Sequence, residues 1–594
     1  MTAPSPTPSA RRSSPSAHAR SVSPTPWPSW RRVALSGAVA LSASLAACSL
    51  IVTRGATQCA SDGDCAGFGA GAKCTAEKVC RVADASSDQA TVDAKPACTT
   101  NRQCIDASGG EPAICRKDTR VCVKLVNPDC PRVVAVAASG DVVTDRRAVE
   151  DDATIVLGSL TSLVGANQLK GEARVNAFEL AVQEFATRGG VPVGDKTRPV
   201  AFVSCNDIDL VQPDGGDDPA GVRAARHLVA TVGVPAIIGG GNSGTTTAAL
   251  KETTLKGTLL IAPSATSPAL TNNPDKGGLF FRTAPSDALQ AIPLVQLVNE
   301  VEAGITTPAD LRLSLFSKGD SYGQGLRDQI VEKLTFNGRK LSDPGNADYY
   351  RGLEYKTDAG FDFAAFVTAT LAYKPHIIVI AGTNETVDGL IKPIEAGWTG
   401  GQPPPVYVLS DGLKADKLIL AIKDDDAAAT PKGLRTRVRG TAPGRRNSVT
   451  DKFILRYNAR FPAEASAATT FGTAGAYDAA YLLLYGLGYV TDGTPTGANM
   501  AAGIRKATRV VPASVVEVGP AGIDVAAPLV RAGGDFDLNG ASSPLEFDEA
   551  GESPADIEVW CVQKGTGGGS PTFFSTDKYY NAATKMVVGS FVCP

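Results

Sequence analysis

Histidine is nearly absent from this chain, which has only 3 among 594 residues. His18 lies in a proline- and serine-rich leader, while His227 and His376 fall in a predicted helix and a predicted strand, outside any catalytic motif. Catalytic zinc sites and serine–histidine triads depend on imidazole groups, so the composition argues against both. We therefore expect no enzymatic activity, no metal ion and no cofactor.

A large excess of one charge is also lacking. The chain has 58 basic and 61 acidic side chains, which gives a formal net charge of −3. This balance provides no basic surface that could hold a phosphate backbone, so we expect no nucleic-acid partner. At the usual domain size, the length predicts roughly three to five domains.

The apolar run near the N-terminus is too short to cross a membrane. It covers 15 residues, Val33–Ala47, after two arginines, whereas a membrane-spanning helix needs about 20. Its length and basic flank are typical of a signal peptide, and its last residues, LAA before Cys48, resemble a bacterial lipobox. An ordinary secretory signal is the alternative. We predict that residues 1–47 are a leader and signal peptide and that Cys48 is lipid-anchored to a bacterial membrane, outside the cytoplasm.

Eight of the 13 cysteines form two short modules after this anchor. They are Cys59, Cys65, Cys74 and Cys80, followed by Cys98, Cys104, Cys115 and Cys122. Each module is too small to bury a core, so covalent cross-links must stabilise it. Zinc sites favour shorter cysteine spacings and a reducing compartment, so we predict disulfides, with three alternative pairings in each module. Residues 48–130 are expected to form a lipid-anchored stalk.

From residue 153 onward, short apolar runs alternate with amphipathic stretches. The strand candidates are Thr154–Leu160, Arg198–Ser204, Ala236–Gly239, Thr258–Ala262, Arg312–Ser317, His376–Ala381 and Val406–Ser410. Strands separated by helices of this length predict βαβ units and parallel sheets covered on both faces. The length exceeds that of one doubly wound sheet, so we predict two lobes. Ligands of such folds bind beyond the carboxyl ends of the strands.

Three strand-to-helix turns carry the polar groups of a binding site. They are Gly239–Thr247, Pro263–Pro268 and Leu409–Gly412. The first contains G-x-G-x-x-G, but no carboxylate closes the next strand to hold a ribose, which argues against a dinucleotide. Its hydroxyls and helix N-terminus suit a carboxylate, and Asp411 supplies a complementary negative charge. Helix capping is the alternative for each turn alone; together the turns predict a site for a zwitterionic amino acid.

Motifs that follow one another along the chain carry a family resemblance. They are IVLGSLTSLVG, GEARVNAFELAVQEFATRGGV, AIIGGGNSGTTTAA, LLIAPSATSPALT, LFFRTAPSD, GDSYGQG, PHIIVIAGTNE, VYVLSDG and PLEFDEAGE before IEVWCV. This series resembles the type I periplasmic binding proteins, in particular the leucine/isoleucine/valine-binding proteins of ABC importers. The resemblance implies an α/β fold with two doubly wound, Rossmann-like lobes joined by three crossover strands. Lobe 1 would comprise about 153–282 and 440–540; lobe 2 would comprise about 283–439 and the C-terminal segment.

The resemblance also implies roles for individual residues. Ser243 matches the hydroxyl that binds the ligand's α-carboxylate. Ser264 and Thr266 match a pair that binds the ligand's backbone, with Thr266 bonded to both ends of the zwitterion. Asp411 matches the acid that neutralises the α-ammonium. Thr383 stands where a tyrosine often lines the pocket.

Two departures concern the side-chain pocket of the ligand. Gln168, Leu169 and Lys170 replace an aromatic residue near the first strand-to-helix loop, and Thr383 replaces the tyrosine. Both changes open the pocket and remove apolar walls. The resemblance therefore extends to amino-acid binding and does not specify branched-chain ligands.

The remaining cysteines depart from the family as well. Cys205 matches one half of the family's first-lobe disulfide, but Asn242 occupies the partner position. With four cysteines left, parity suggests that Cys130 pairs with Cys205 and that Cys561 pairs with Cys593.

The function expected from these observations is capture of a small amino-acid-like ligand by lobe closure. The partner would be an ABC permease, to which the ligand is delivered. The alternative is a receptor-like sensing module that signals to a sensor protein in the membrane, which the long cysteine-rich stalk favours.

Overall fold

The computed structural model describes most of the chain beyond the N-terminal region. The described residues are 59, 61, 63, 65, 72–74, 80–82, 97–137, 139–194, 196–209, 219–306, 310–356, 361–565 and 569–594. The predicted signal peptide, residues 1–47, and Cys48 lie outside them. The chain divides into two units, Met1–Val92 and Asp93–Pro594. Among the described residues, no helix combines the length and the hydropathy that a bilayer span requires.

Disulfides hold both cysteine modules, as predicted. In the first module, Cys59 is bonded to Cys74, and Cys65 is also disulfide-bonded. A hairpin pairs Ala72–Cys74 with Cys80–Val82.

The second module contains helix α1 (Asn101–Ala107) and a hairpin of Ala113–Cys115 with Cys122–Lys124. Its cross-links join Cys98 to Cys115 and Cys104 to Cys122, so the first cysteine pairs with the third and the second with the fourth. This finding selects one of the three alternative pairings.

The second module packs against the body of the protein instead of extending a stalk. Asn101 Nδ2 donates to the Val149 carbonyl over 2.9 Å, and Arg116 Nη1 donates to the Ala230 carbonyl over 2.6 Å. The predicted continuous stalk over 48–130 is therefore revised, because the chain from Asp93 onward forms one unit with the lobes. The reason is that the module's buried polar groups bond to the lobe rather than to solvent.

Cys130 and Cys205 are bonded, as are Cys561 and Cys593, which confirms both predicted pairs. The first bond fastens the segment after the second module to a central strand. The second bond fastens the C-terminus to the strand Ile557–Gln563.

The first sheet has seven strands in chain order. They are β1 (Arg132–Val136), β2 (Val142–Val143), β3 (Ile155–Thr161), β4 (Val200–Asn206), β5 (Ala236–Ile238), β6 (Leu259–Ala262) and β7 (Phe280–Arg282). The sheet order is β7-β6-β5-β3-β4-β1-β2, parallel from β7 to β4 and antiparallel beyond. The sheet thus begins upstream of residue 153, where we placed the start of the lobes.

The second sheet has eight strands. They are β8 (Leu313–Lys318), β9 (Tyr350–Tyr355), β10 (Ile377–Ala381), β11 (Val406–Leu409), β12 (Val438–Pro443), β13 (Ile557–Gln563), β14 (Thr572–Asn581) and β15 (Met586–Val588). Their order is β9-β8-β10-β11-β12-β13-β14-β15, with the first five parallel and the rest antiparallel. All seven strand candidates from the sequence overlap strands of the two sheets, because strands buried on both faces read as apolar runs.

Helices cover both faces of each sheet. The α-helices are α2 (Gln168–Ala186), α3 (Ala220–Arg226), α4 (Ser243–Ala249), α5 (Asp287–Gly304), α6 (Ser321–Lys333), α7 (Phe363–Tyr373), α8 (Lys392–Gly397), α9 (Asp416–Asp426), α10 (Leu434–Arg437), α11 (Ser448–Arg460), α12 (Thr473–Gly488), α13 (Gly497–Ala507) and α14 (Pro520–Arg531). Helix α12 lies at the centre of the first lobe and is buried on nearly all sides, which explains its apolar sequence without a membrane.

The chain passes between the two lobes three times. It leaves the first sheet after β7 and enters α5, returns after β12 into α11, and crosses again between Gly540 and Asp556 to reach β13. Helices α11 to α14 therefore pack on the first lobe although they follow the second sheet in sequence. The predicted α/β fold with two doubly wound lobes and three crossovers is confirmed.

Candidate functional site

The turn between β5 and α4 presents one hydroxyl proton. Asn242 caps α4 by accepting the Thr245 N–H over 3.0 Å. Ser243 Oγ, in the next position and buried, accepts the backbone N–H groups of Thr266 and Ser267, each over 3.1 Å. Because both lone pairs of this oxygen are occupied, its proton is free to be donated. Ser243 is thus a hydrogen-bond donor.

The turn after β6 presents the opposite polarity. The Thr266 hydroxyl donates its proton to Asp287 Oδ2 over 2.9 Å, and its backbone N–H is already given to Ser243. The Thr266 oxygen can therefore only accept a further hydrogen bond. The family resemblance implied that Thr266 bonds both ends of a zwitterion; in this arrangement its oxygen offers a hydrogen-bond acceptor.

Ser264 directs its proton to the protein backbone. Its hydroxyl donates to the Gly241 carbonyl over 3.1 Å, and Arg174 Nη1 donates to the same oxygen over 3.0 Å. Burial lowers the pKa of Arg174 to about 10, although Asp207 opposes this shift. Arg174, from α2, is a buried cation beside the first two turns that the sequence analysis did not single out. Arg174 is the last residue of the sequence GEAR, which was considered only as part of a family motif.

Asp411 follows β11 in the second lobe and is 3% exposed. Its Oδ1 accepts hydrogen bonds from the Tyr322 hydroxyl over 2.7 Å and from Gln290 Nε2 over 3.0 Å. Burial raises the pKa of this carboxyl above its usual value, and both hydrogen bonds oppose the shift. The carboxylate is therefore fixed in orientation by groups from α5 and α6.

Asp287 stands at the start of α5 as a second buried acid near Asp411. Burial, followed by the negative charge of Asp411, raises the pKa of Asp287 well above its usual value. The negative charge of Asp411 therefore opposes the ionisation of Asp287. Sequence reasoning missed Asp287 because an acid in the first turn of a helix is ordinarily a favourable dipole contact.

Thr383 is held within the second lobe. Its hydroxyl donates to Glu385 over 2.6 Å, and its N–H donates to the Tyr355 oxygen over 3.2 Å. Tyr355 in turn donates to Glu385 over 2.8 Å. The Thr383 hydroxyl is therefore occupied by a residue two positions along the chain.

The side chain of Lys170, in the first lobe, contacts the second lobe. Its Nζ donates to the Gly412 carbonyl over 3.5 Å, next to Asp411. Burial, followed by the positive charge of Arg174, lowers the pKa of Lys170 to about 8. A second direct contact joins the lobes where the Ser267 hydroxyl donates to the Ser321 carbonyl over 2.6 Å. The two lobes are therefore in direct contact at these two points.

These contacts join the predicted residues into one series. Ser243 bonds to Thr266, Thr266 bonds to Asp287, and Gln290, one helical turn after Asp287, bonds to Asp411. A hydroxyl donor at one end and a carboxylate at the other match the two charges of an amino acid. Ser264 and Thr383 lie beside this series with their protons bound elsewhere.

Comparisons with known proteins agree with this architecture. Residues 154–523 match the family described as periplasmic binding protein. The chain is 27% identical over 425 residues to the chemotactic signal transduction system substrate-binding protein BasB of Halobacterium salinarum, covering 70% of this chain and 88% of that protein. It is 26% identical to the Leu/Ile/Val-binding protein BraC3 of Rhizobium johnstonii, covering 39% of this chain and 55% of that protein.

Solved structures share the fold. A type 1 periplasmic binding protein from Bordetella pertussis has a TM-score of 0.52 and 16% identity, covering 71% of this chain and all of that one. The leucine-binding protein LivK of Thermotoga maritima has a TM-score of 0.50 and 17% identity, covering 71% of this chain and 97% of that one. The family match spans more than half of the chain and coincides with the two-lobed fold. This chain therefore belongs to the type I periplasmic binding proteins, a family of extracytoplasmic ligand-binding proteins.

Proposed function

We propose that this protein binds an amino acid or amino-acid-like ligand between its lobes and closes on it. The supporting observation is the polarity of the series from Ser243 to Asp411. Ser243 can donate a proton to the α-carboxylate, whereas the Thr266 oxygen and the Asp411 carboxylate can accept from the α-ammonium. The buried Arg174 adds positive charge on the carboxylate side. Ser264 supports the carboxylate wall by holding Gly241.

The pocket for the ligand's side chain is polar. Lys170, Thr383 and Glu385 stand where related proteins often have aromatic residues or their neighbours, and their polar atoms are hydrogen-bonded across or within the cleft. We infer that the ligand carries a polar or small side chain. A large apolar side chain would remove the remaining water from the Lys170 ammonium and the Glu385 carboxylate, and burying charged groups in apolar surroundings is costly.

Delivery to an ABC permease is the physiological role we propose, from a position held outside the cytoplasm by a lipid on Cys48. The second candidate is sensing, in which the closed form contacts a membrane signalling partner. The relative BasB, whose name assigns it to a chemotactic signal transduction system, favours this candidate.

A thermal-shift screen of the purified protein tests the binding proposal. The probes are the twenty standard L-amino acids, small amides, urea-like compounds and aromatic acids. A compound that binds only the folded state stabilises it, by about 2.7 kcal/mol at a ligand concentration of a hundred times Kd, and therefore raises the melting temperature. A shift with at least one amino acid is expected. No shift with any amino acid would contradict the proposal.

A further inference from the structure

A cavity lies beside the crossovers, apart from the candidate ligand site. Its volume is about 710 Å³, within the range of roughly 300–1,000 Å³ that small-molecule sites occupy. The lining comes from the second and third crossovers, the C-terminal end of α13 and the turn between β14 and β15. Its described part includes none of the residues of the candidate ligand site. We refer to this space as the crossover cavity.

Four arginines line the crossover cavity, and two of them are neutralised by acids that do not belong to its lining. Arg446 is paired with Asp451. Arg509 Nη1 lies 2.5 Å from Asp535 Oδ2. These two guanidinium groups therefore have their counter-charges within the protein.

The other two arginines are Arg445 and Arg505, and within the described residues neither has a carboxylate partner. Arg445 Cζ lies 3.8 Å from the centre of the Tyr579 ring, and Arg505 Cζ lies 5.1 Å from the centre of the Phe281 ring. Arg505 also donates to two backbone carbonyls, over 3.2 and 3.4 Å. Both side chains are thus held in place while their positive charges lack an acid.

Three acids also line the cavity and restrict what it can hold. Asp548 Oδ1 accepts the Glu552 N–H over 2.9 Å, and Asp556 Oδ1 accepts the Ala582 N–H over 2.8 Å. Glu546 is exposed to solvent. Their negative charges oppose a polyanion, so the two free arginines suit a small molecule with one or two negative groups.

Apolar side chains complete the lining. Phe547 packs against Phe281 with ring centres 5.2 Å apart, and Val510 is 57% exposed. Both residues border the same space as the two free arginines. An apolar surface beside a few polar groups is the usual composition of a small-molecule site.

We propose that the crossover cavity binds a small organic acid. Arg445 and Arg505 hold its carboxylate or phosphate group, and its body lies against Phe547 and Val510. A guanidinium fork binds carboxylate and phosphate through two parallel hydrogen bonds, and stacking on an aromatic ring leaves the N–H edge available for them. The site is separate from the cleft, so it does not depend on amino-acid binding there.

Thermal-shift and calorimetric titrations of the full protein test this inference. The probes are succinate, benzoate and phenyl phosphate at constant ionic strength, with benzyl alcohol as the neutral compound and sodium chloride as the reference salt. We expect at least one of the three acids to bind saturably with a submillimolar Kd, whereas benzyl alcohol should not bind. Benzoate and phenyl phosphate share a ring, so binding of only one identifies the preferred acidic group, and either result supports the inference.

The informative variant combines Arg445→Gln with Arg505→Gln, which removes both free guanidinium groups and keeps the two ion pairs of the cavity. It should weaken binding of the acid at least about tenfold, because charge-assisted hydrogen bonds are lost. The matched control combines Lys251→Gln with Lys423→Gln, at exposed positions outside the cavity, and should leave the affinity unchanged. Arg505→Gln alone, at an exposed position, should also weaken binding and does not disturb the packing of Arg445 on Tyr579.

Three outcomes would overturn the inference. They are failure of all three acids to bind the wild type at millimolar concentration, equal weakening in the two double variants, and full binding by both the Arg445/Arg505 double variant and Arg505→Gln. The last result would place the acid elsewhere, such as in the cleft near Arg174. None of these outcomes bears on amino-acid binding by the cleft, which the thermal-shift screen tests separately.

Discussion

Arg282 Nη2 lies 2.6 Å from Glu552 Oε1, and this ion pair joins the last strand of the first sheet to the third crossover segment. The guanidinium is fully buried, and its other terminal nitrogen donates to the carbonyls of Ala265 and Ser267 over 3.2 and 2.9 Å. One side chain thereby fixes both a crossover and the turn that carries Thr266. The third crossover and the turn after β6 are therefore joined through one buried side chain.

Glu552→Ala should destabilise the protein by about 3–5 kcal/mol, because it leaves a buried guanidinium without its counter-charge. Urea denaturation followed by circular dichroism measures the loss. Glu549→Ala, at an exposed position of the same segment, is the control and should change stability by less than about 0.5 kcal/mol. Equal stability of the two variants would contradict a structural role for the pair.

Asp411→Asn should reduce amino-acid affinity by at least 100-fold, because a buried ammonium would lose its counter-charge. The asparagine side-chain oxygen can still accept hydrogen bonds from Tyr322 and Gln290, so the variant should fold. Calorimetry with the amino acid that gives the largest thermal shift measures the effect. Asp320→Ala should change affinity little, and tight binding by the Asp411 variant would refute the site assignment.

Asp478 should give the stability of the first lobe a pH dependence. Its carboxylate accepts the N–H groups of Ala541 and Ser542 over 2.8 and 2.7 Å, yet burial raises its pKa to about 7. The folded state therefore binds more protons than the unfolded state between its ordinary pKa near 4 and pH 7. The stabilising contribution is complete below pH 4 and is lost as the pH rises through 7.

The measurement is the free energy of unfolding of the wild type and of Asp478→Asn at pH 4, 6 and 8. The wild type should lose roughly 2–4 kcal/mol relative to the variant over this range. Parallel pH profiles would show that Asp478 does not titrate as expected.

Replacing Cys130 and Cys205 together by serine should release the second cysteine module from the first lobe. The bond closes a loop with a sequence separation of 75, for which chain entropy predicts roughly 4 kcal/mol of stabilisation. Scanning calorimetry should show a lower melting temperature, and trypsin should cleave within the module. An unchanged melting temperature with no new cleavage would indicate that the packing of Asn101 and Arg116 is sufficient.

The sequence patterns predicted the central strands well, because strands such as Ile377–Ala381 are buried throughout and need apolar residues at every position. The antiparallel extension of the second sheet was not predicted; β14 in particular alternates between buried and exposed residues without an apolar run.

The sequence could not predict which side chains of the site donate hydrogen bonds and which accept them. Asp287 and Gln290 belong to the candidate site because the fold places them near Asp411. In the sequence, Asp411 is 121 positions away from Gln290. The Thr383 hydroxyl donates to Glu385, two positions along the chain, which the residue types alone did not indicate. Residue type and order identify a turn, whereas the direction of each hydroxyl depends on contacts between distant segments.

The docking of the second cysteine module has a mechanical consequence. Within the described residues, the module and the Cys130–Cys205 bond are attached to the first lobe, and the second lobe is joined to the first by the three crossovers and by the contacts of Lys170 and Ser267. Under the proposed closure, the second lobe would move relative to a first lobe that carries the module. A partner protein that recognises the ligand-bound form could then detect the displacement of the second lobe relative to the first.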